Sequence, residues 1–266
     1  MGETMNLSKS GHIATVAITR SAMNPEFFDE LETTFRSISA DTDVRAVILC
    51  SAGRAFCYGL DLPAAFAGYG KLFAGGGAAT RTELLGLIKK LQQALNSVAD
   101  CPVPVIAAIH NWCVGGGLDL IACCDIRYAS RDARFAISET KVAIVADVGS
   151  LQRLPSIIGQ GATREMAFTG RAIDAAKALR IGLVNESYED AAALLDAATE
   201  TAEEIAKNAP LVVKGVKDVL GFGQGKTVEN GLAYVAVWNS AFLASEDLNE
   251  AISSFMEKRE PVYKGR

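Results

Sequence analysis

Two short runs in this chain are apolar at nearly every position: Ala46-Val-Ile-Leu-Cys50, inside residues 45–51, and Val105 to Ile109, introduced by Pro102 and Pro104. Such runs read as buried parallel strands, and parallel neighbours need crossover connections between them. The connections are visible. Residues 12–19 are β-branched and read as a strand. Asn24-Pro25 then opens a helix with Phe27, Phe28, Leu31, Phe35 and Ile38 at helical spacing. Residues 81–99 form an amphipathic helix with Leu84, Leu87, Ile88, Leu91, Leu95 and Val98 on one face. Residues 63–80, with Gly75-Gly76-Gly77, show no clear period and read as a mobile loop or a loosely formed helix. Further strands are predicted at 125–129, 134–138 and 182–187, and helices at 118–123, 149–158, 161–169 and 174–180. Beyond Asp190 the pattern is helical: 190–207, 210–221, 227–243 and 247–258, with a break at Asn208-Ala209-Pro210. The fold class is therefore α/β over residues 1–188, followed by a helical region over 189–266.

Half of the residues are hydrophobic, so a chain of 266 residues can bury a sizeable core. The net charge of −5 argues against a general nucleic-acid binder, which needs a basic face. Six cysteines lie mostly in apolar runs with no CxxC pair, as expected of buried free thiols in a reducing compartment. With two histidines, His12 and His110, a histidine-based zinc site is not expected, and no metal is assigned. No signal peptide, transit segment or membrane-length apolar run is recognisable, so a soluble cytoplasmic protein is expected.

Chemistry concentrates between residues 113 and 153. Gly115-Gly116-Gly117 precede an apolar helix-like run, and a glycine triplet opening a helix presents free N–H groups and the positive end of a helix dipole. An anion, or an oxygen that becomes anionic during reaction, suits that position. A dinucleotide fingerprint fails because Leu120 occupies the third glycine position; close packing is the other reading. Three carboxylates sit in apolar company: Asp119, Glu139 and Asp147. Burial raises a carboxyl pKa toward neutrality, which suits acid–base work. Each also has a plainer reading: Asp147 as a helix N-cap, Asp119 as a first-turn residue favoured by the dipole, Glu139 as a loop residue paired with Lys141.

Four stretches together resemble the crotonase (enoyl-CoA hydratase/isomerase) superfamily: Gly53-Arg-Ala-Phe-Cys-Tyr-Gly-Leu-Asp-Leu; Asn111-Trp-Cys-Val-Gly-Gly-Gly-Leu-Asp-Leu; Cys124-Asp-Ile-Arg-Tyr-Ala; and Ser245-Glu-Asp with Phe255-Met-Glu-Lys-Arg. The resemblance implies a crotonase-like spiral of ββα units with a C-terminal helical trimerisation region, trimers that pair into hexamers, and an acyl-CoA substrate. By motif position it places the backbone N–H groups of Leu60 and Gly116 on the thioester oxygen. Hydratases resemble this chain at Glu139, but carry Glu in place of Asp119 and lack a carboxylate matching Asp147. The Δ3,5-Δ2,4-dienoyl-CoA isomerases have Asp, Glu and Asp at separations of 20 and 8 residues, as at 119, 139 and 147 here. Ala146-Asp-Val-Gly-Ser-Leu-Gln-Arg-Leu-Pro is also similar to their signature. Thr140-Lys141 and Ala143 depart from it, which leaves the chain-length preference open.

The activity this implies is conversion of a 3,5-dienoyl-CoA to the 2,4-dienoyl isomer in fatty-acid β-oxidation. Glu139 is assigned to C2 and Asp147 to C6, an order that remains reversible, with Asp119 assisting by hydrogen bonding or charge. No cofactor is required, coenzyme A being part of the substrate. Arg54, Phe56, Gly59, Gly115, Phe255 and Lys258 are the candidate substrate- and CoA-binding positions, the last two toward a neighbouring subunit. The rival readings are a 2-enoyl-CoA hydratase using Asp119 and Glu139, and a non-catalytic RNA-binding or scaffold module.

Overall fold

The chain enters its main sheet through a hairpin. In the computed structural model, which describes residues 2–266, β1 (Met5–Ser10) and β2 (Ile13–Ile18) pair antiparallel. α1 (Pro25–Ala40) follows. Its N-cap, Asn24, accepts from the Phe27 N–H at 3.1 Å, and the five apolar residues named by the spacing are the five it buries. β3 (Ala46–Ser51) returns parallel to β2. α2 (Leu62–Phe73) is a formed helix, capped by Asp61. It buries only Ala65, so its sequence carries no apolar stripe, which is why residues 63–80 show no period. α3 (Ala78–Ala99) leads back to the sheet.

From here the chain repeats one unit. β4 (Val105–Ile109) joins the main sheet beside β3, β5 (Trp112–Val114) turns off into a second sheet, and α4 (Gly116–Ile121) closes the unit. β6 (Ile126–Ser130) then pairs with β4, β7 (Arg134–Ala136) pairs with β5, and a single 3-10 turn (Glu139–Val142) precedes α5 (Ser150–Thr169). α5 kinks at Gly159 (φ 77°), where the sequence showed a break between two helices. β8 (Ile173–Asp174), α6 (Ala175–Arg180) and β9 (Glu186–Tyr188) complete the two sheets, ordered β1-β2-β3-β4-β6-β9 and β5-β7-β8. This is a spiral of ββα units. The strands β1, β5 and β8 were not read from the sequence; β5 and β8 are three and two residues long, too short to show alternation.

Both faces of the main sheet are covered. Val47, Leu49, Val105, Ala107 and Ile109 pack with α1 and α3, while Ala46, Ile48, Ile106 and Ala108 meet Leu194, Ala198 and Ala202 of α7 (Ala191–Lys207). Two-sided burial is why these strands are apolar throughout. α7 is thus part of the core although it lies beyond residue 188. The helices after it, α8 (Pro210–Gly223), α9 (Val228–Phe242) and α10 (Glu246–Glu257), bury very little, and α9 buries no residue. Five of the six cysteines are buried and all are free. Among the described residues no helix is long and apolar enough to cross a membrane.

Phe35 is fully buried at the centre of α1. Replacing Phe35 with Ala is expected to lower stability by about 3–5 kcal/mol in urea unfolding, as for other core Phe-to-Ala changes.

Candidate active site

Two loop backbones meet face to face. The segment 56–58 runs beside β5, with Cys57 N–H donating to the Trp112 carbonyl and Val114 N–H to the Cys57 carbonyl, both at 2.9 Å. The chain then turns at Gly59, φ 85°. A Cβ at that position would lie 2.9 Å from the Val114 carbonyl oxygen, so glycine is required twice over, by conformation and by space. On the far side Met23 holds the loop in place: its N–H donates to the Gly59 carbonyl and its carbonyl accepts from Asp61 N–H. Gly115 (φ 55°) turns the second loop into α4. After all these bonds are made, the N–H groups of Leu60 and Gly116 have no acceptor among the described residues. Both residues line one cavity of about 220 Å³.

Asp119, Glu139 and Asp147 line the same cavity. Asp119 rises from the first turn of α4 and is 1% exposed. Its Oδ1 accepts the Ser150 N–H at the start of α5, and Oδ2 has no partner. Glu139 opens the 3-10 turn after β7, and its Oε2 is also unpartnered. Asp147 sits at the exposed rim. Apolar side chains of Met23, Phe28, Leu62, Leu91, Val142 and Ile144 complete the walls.

Burial is the main reason these carboxyls are hard to ionise. It pushes Asp119 up to about 6, against the Ser150 hydrogen bond that favours the anion. It pushes Glu139 up to about 7, with the neighbouring charges of Asp119 and Asp147 adding to the effect. Asp147 is raised as well, by desolvation of its inner side. Two acids held near neutrality and a third raised by desolvation in one pocket, beside two free N–H donors, can move protons on a substrate whose oxygen gains charge.

Asp119 is the first-turn residue of α4 that its plainer reading describes, whereas the plainer readings of Asp147 and Glu139 do not hold. The N-cap of α5 is Gly149, not Asp147, and the free N–H of that helix is taken by Asp119 from α4. Glu139 forms no ion pair with Lys141, whose stem packs against Gly170. Of the candidate substrate-binding positions, Gly59 and Gly115 line the cavity and Arg54, Phe255 and Lys258 do not. Phe56 does not line it either: it is 0% exposed and belongs to the core. Met23, Tyr58 and Ser138 line the cavity without having been singled out; only their contacts across the fold place them there. A larger cavity of about 770 Å³, walled by α8, α9 and α10, contains none of the three acids. Among the described residues no cluster of His, Cys, Asp or Glu is arranged to hold a metal.

The family model described as "Enoyl-CoA hydratase/isomerase" matches residues 8–266. The chain belongs to this family. Among its curated relatives, it is 44% identical to the peroxisomal Δ(3,5)-Δ(2,4)-dienoyl-CoA isomerase of Arabidopsis thaliana, over 91% of this chain and 88% of that protein. It is 41% identical to the mitochondrial enzyme of the same name from Dictyostelium discoideum, over 92% of this chain and 83% of that one. Among solved structures, an enoyl-CoA hydratase from Bacillus anthracis superposes with a TM-score of 0.89 at 30% identity, covering 99% of this chain and 100% of its own.

A carboxyl whose pKa is raised on folding keeps its proton where the unfolded chain has lost it. Stability from Glu139 is therefore full below its ordinary value of 4.5 and is lost as pH rises to about 7. The Glu139→Gln variant is expected to melt above the unmodified protein at pH 8 and level with it near pH 4, in thermal scans over a pH series.

Proposed function

We propose that the chain is a Δ3,5-Δ2,4-dienoyl-CoA isomerase acting in fatty-acid β-oxidation. The observation that carries this reading is Asp147: it lines the acid pocket, where a hydratase using Asp119 and Glu139 needs no third carboxylate. The thioester oxygen of a 3,5-dienoyl-CoA accepts the N–H groups of Leu60 and Gly116. Ionised Glu139 takes a proton from C2, and the C–H electrons pass into a dienolate whose charge extends from the oxygen to C6. Protonated Asp147 gives its proton to C6, forming the new C–H bond and leaving the 2,4-diene. The cycle ends with Glu139 protonated and Asp147 ionised, and exchange with water resets both; the exposed position of Asp147 suits this step. C2 and C6 lie too far apart for one short side chain, so two proton-handling groups are needed. Substrate that expels water from the rim raises Asp147 further and keeps its proton in place. No cofactor is proposed, because a double-bond shift changes no oxidation level.

Arg54 is proposed to meet a CoA phosphate, and Phe255 and Lys258 to serve the nucleotide of a neighbouring subunit. A homotrimer, or two trimers paired as a hexamer, accounts for α9, whose Val228, Leu232 and Val237 are all more than 60% exposed in the single chain. Phe255 at 85% exposure fits a role across a subunit boundary. A cytoplasmic location is kept as the proposal from sequence; the names of the relatives place those proteins in peroxisomes or mitochondria. RNA is not proposed as a partner, given the net charge of −5.

Ultraviolet spectra decide between the enzymatic readings. Growth of the 2,4-dienoyl-thioester band from a 3,5-dienoyl-CoA is expected. Loss of the enoyl band from a 2-trans-enoyl-CoA, with the dienoyl substrate untouched, would mean a hydratase. In the folded Asp147→Asn variant isomerase turnover is expected to fall by about 10²–10⁴-fold, the usual contribution of a general acid or base. Near-normal turnover there would sink the C6 assignment.

A further inference from the structure

Asp147 does the reaction's outer proton transfer in the function proposed above, yet among the described residues its carboxyl takes no hydrogen bond from any other residue, its own backbone N–H being the donor that favours the anion. Its direction depends on the backbone that carries it. That backbone is irregular: between the end of the 3-10 turn at Val142 and the start of α5 at Ser150 there is no helix or strand. Ala143 adopts the left-handed region at φ 59°, Gly149 sits at φ 139°, and the intervening Ile144 and Val145 are exposed. Ile144 N–H bonds back to the Glu139 carbonyl, and no other backbone N–H from Val145 to Gly149 finds an acceptor in another of the described residues. Within the segment Ala146 is anchored in the core, but no backbone–backbone hydrogen bond of its own fixes the direction of Asp147.

It is held from α3. Gln92 Nε2 donates to the Asp147 carbonyl at 2.6 Å. One turn along the same helix face, Asn96 Oδ1 accepts from Arg153 Nη2, also at 2.6 Å. Arg153 in turn lies over Gly149: its Nη1 fills the space that a Cβ there would need. The two contacts therefore grip both ends of the stretch 147–153. Between the grips, Ser150 N–H is fixed on Asp119. Leu91, next to Gln92, lines the cavity, so the same turn of α3 forms the pocket wall and the grip.

We infer that Gln92, Asn96 and Arg153 are positioning residues that aim Asp147 and hold the Arg153 guanidinium where its charge acts on Asp119. The groups facing Asp119 are Glu139, Asp147, Arg153 and the thiols of Cys113 and Cys123. Burial pushes both thiols up, Cys123 to about 12, so neither carries charge near neutrality. Arg153 is then the cation that offsets the cost of an Asp119 anion, and it acts together with the Ser150 N–H at the start of α5. With Asp119 favoured as the anion, Glu139 is the acid of the buried pair whose proton is hardest to lose. The three acids thereby acquire different tasks from one cation and one clamp.

The test uses the full chain and separates this inference from the assigned reaction. In Gln92→Leu, which keeps the bulk and removes the donor, the hydrogen-bonded amides that flank the segment, Ile144, Ser150, Gln152 and Arg153, are expected to exchange hydrogen about tenfold faster or more, while those of β3 and β4 are unchanged. In Arg153→Met, carbon-13 titration of the carboxyls is expected to move the Asp119 midpoint up by about half a unit or more, and Arg153→Lys to leave it near its starting value. Neither readout needs substrate. Unchanged exchange in Gln92→Leu together with an unmoved Asp119 midpoint in Arg153→Met overturns the inference, whatever the enzyme turns over. With a 3,5-dienoyl-CoA, Gln92→Leu is expected to lower kcat about 10–100-fold with little change in KM, as a misaimed group does. A wild-type protein silent on that substrate sinks the isomerase reading and leaves the exchange and titration results to judge the clamp. An active wild type with an equally active, fast-exchanging Gln92→Leu overturns the aiming role.

Discussion

The site depends on a contact between two backbones. Gly59 and the Val114–Gly116 turn approach so closely that no side chain fits between them. Met23 presses on the same place from the other side; its sulfur lies 2.8 Å from where a Cβ on Gly116 would be. The two turns are tied together by the strand-like pairing of Cys57 with Cys113. What this leaves over is a pair of free N–H groups at fixed positions. Such donors cost no reorganisation when charge appears on a substrate oxygen, which is what makes a preformed pair effective.

The carboxylates follow from the same geometry. α4 begins at the glycine turn, so Asp119 is delivered one turn away from a donor N–H and is buried by the core below it. Gly115 also makes room for Glu139: a Cβ there would come within 3.2 Å of Oε1. Desolvation brings the two inner acids, Asp119 and Glu139, into a range where both protonation states are accessible, and it raises Asp147 from its ordinary value. The difference between them comes from neighbours. Asp119 has a helix-terminal N–H and faces a cation, Glu139 faces Asp119, and Asp147 meets solvent at the rim.

Much of the fold was legible because burial leaves a period in the sequence. α1 and the two central strands were read nearly to their ends, since every inward position is apolar. α2 was not, because a helix that buries one alanine has no stripe to show. The short strands of the second sheet are defined by their partners and not by their own residues. Among site residues, Gly59, Gly116 and the three acids were visible as residues out of keeping with their apolar surroundings. Met23 and Tyr58 were not, since nothing in their local sequence sets them apart. Phe56 is placed in the core although its motif suggested the pocket, and Tyr58, two residues on, is the aromatic that lines the cavity.

The sequence by itself determined the layered α/β class, the glycine turns and which acids stand in apolar runs, because hydrophobic patterning and glycine content are local properties. Only the tertiary structure decided how those acids are buried and bonded. Asp147 had the look of a helix cap, yet the Ser150 N–H at the start of α5 goes to Asp119, 31 positions before Ser150 in the chain. Protonation state and free hydrogen-bonding capacity are set by neighbours in space, and those neighbours come from α3, α4, the 3-10 turn and α5, elements whose meeting no local pattern records.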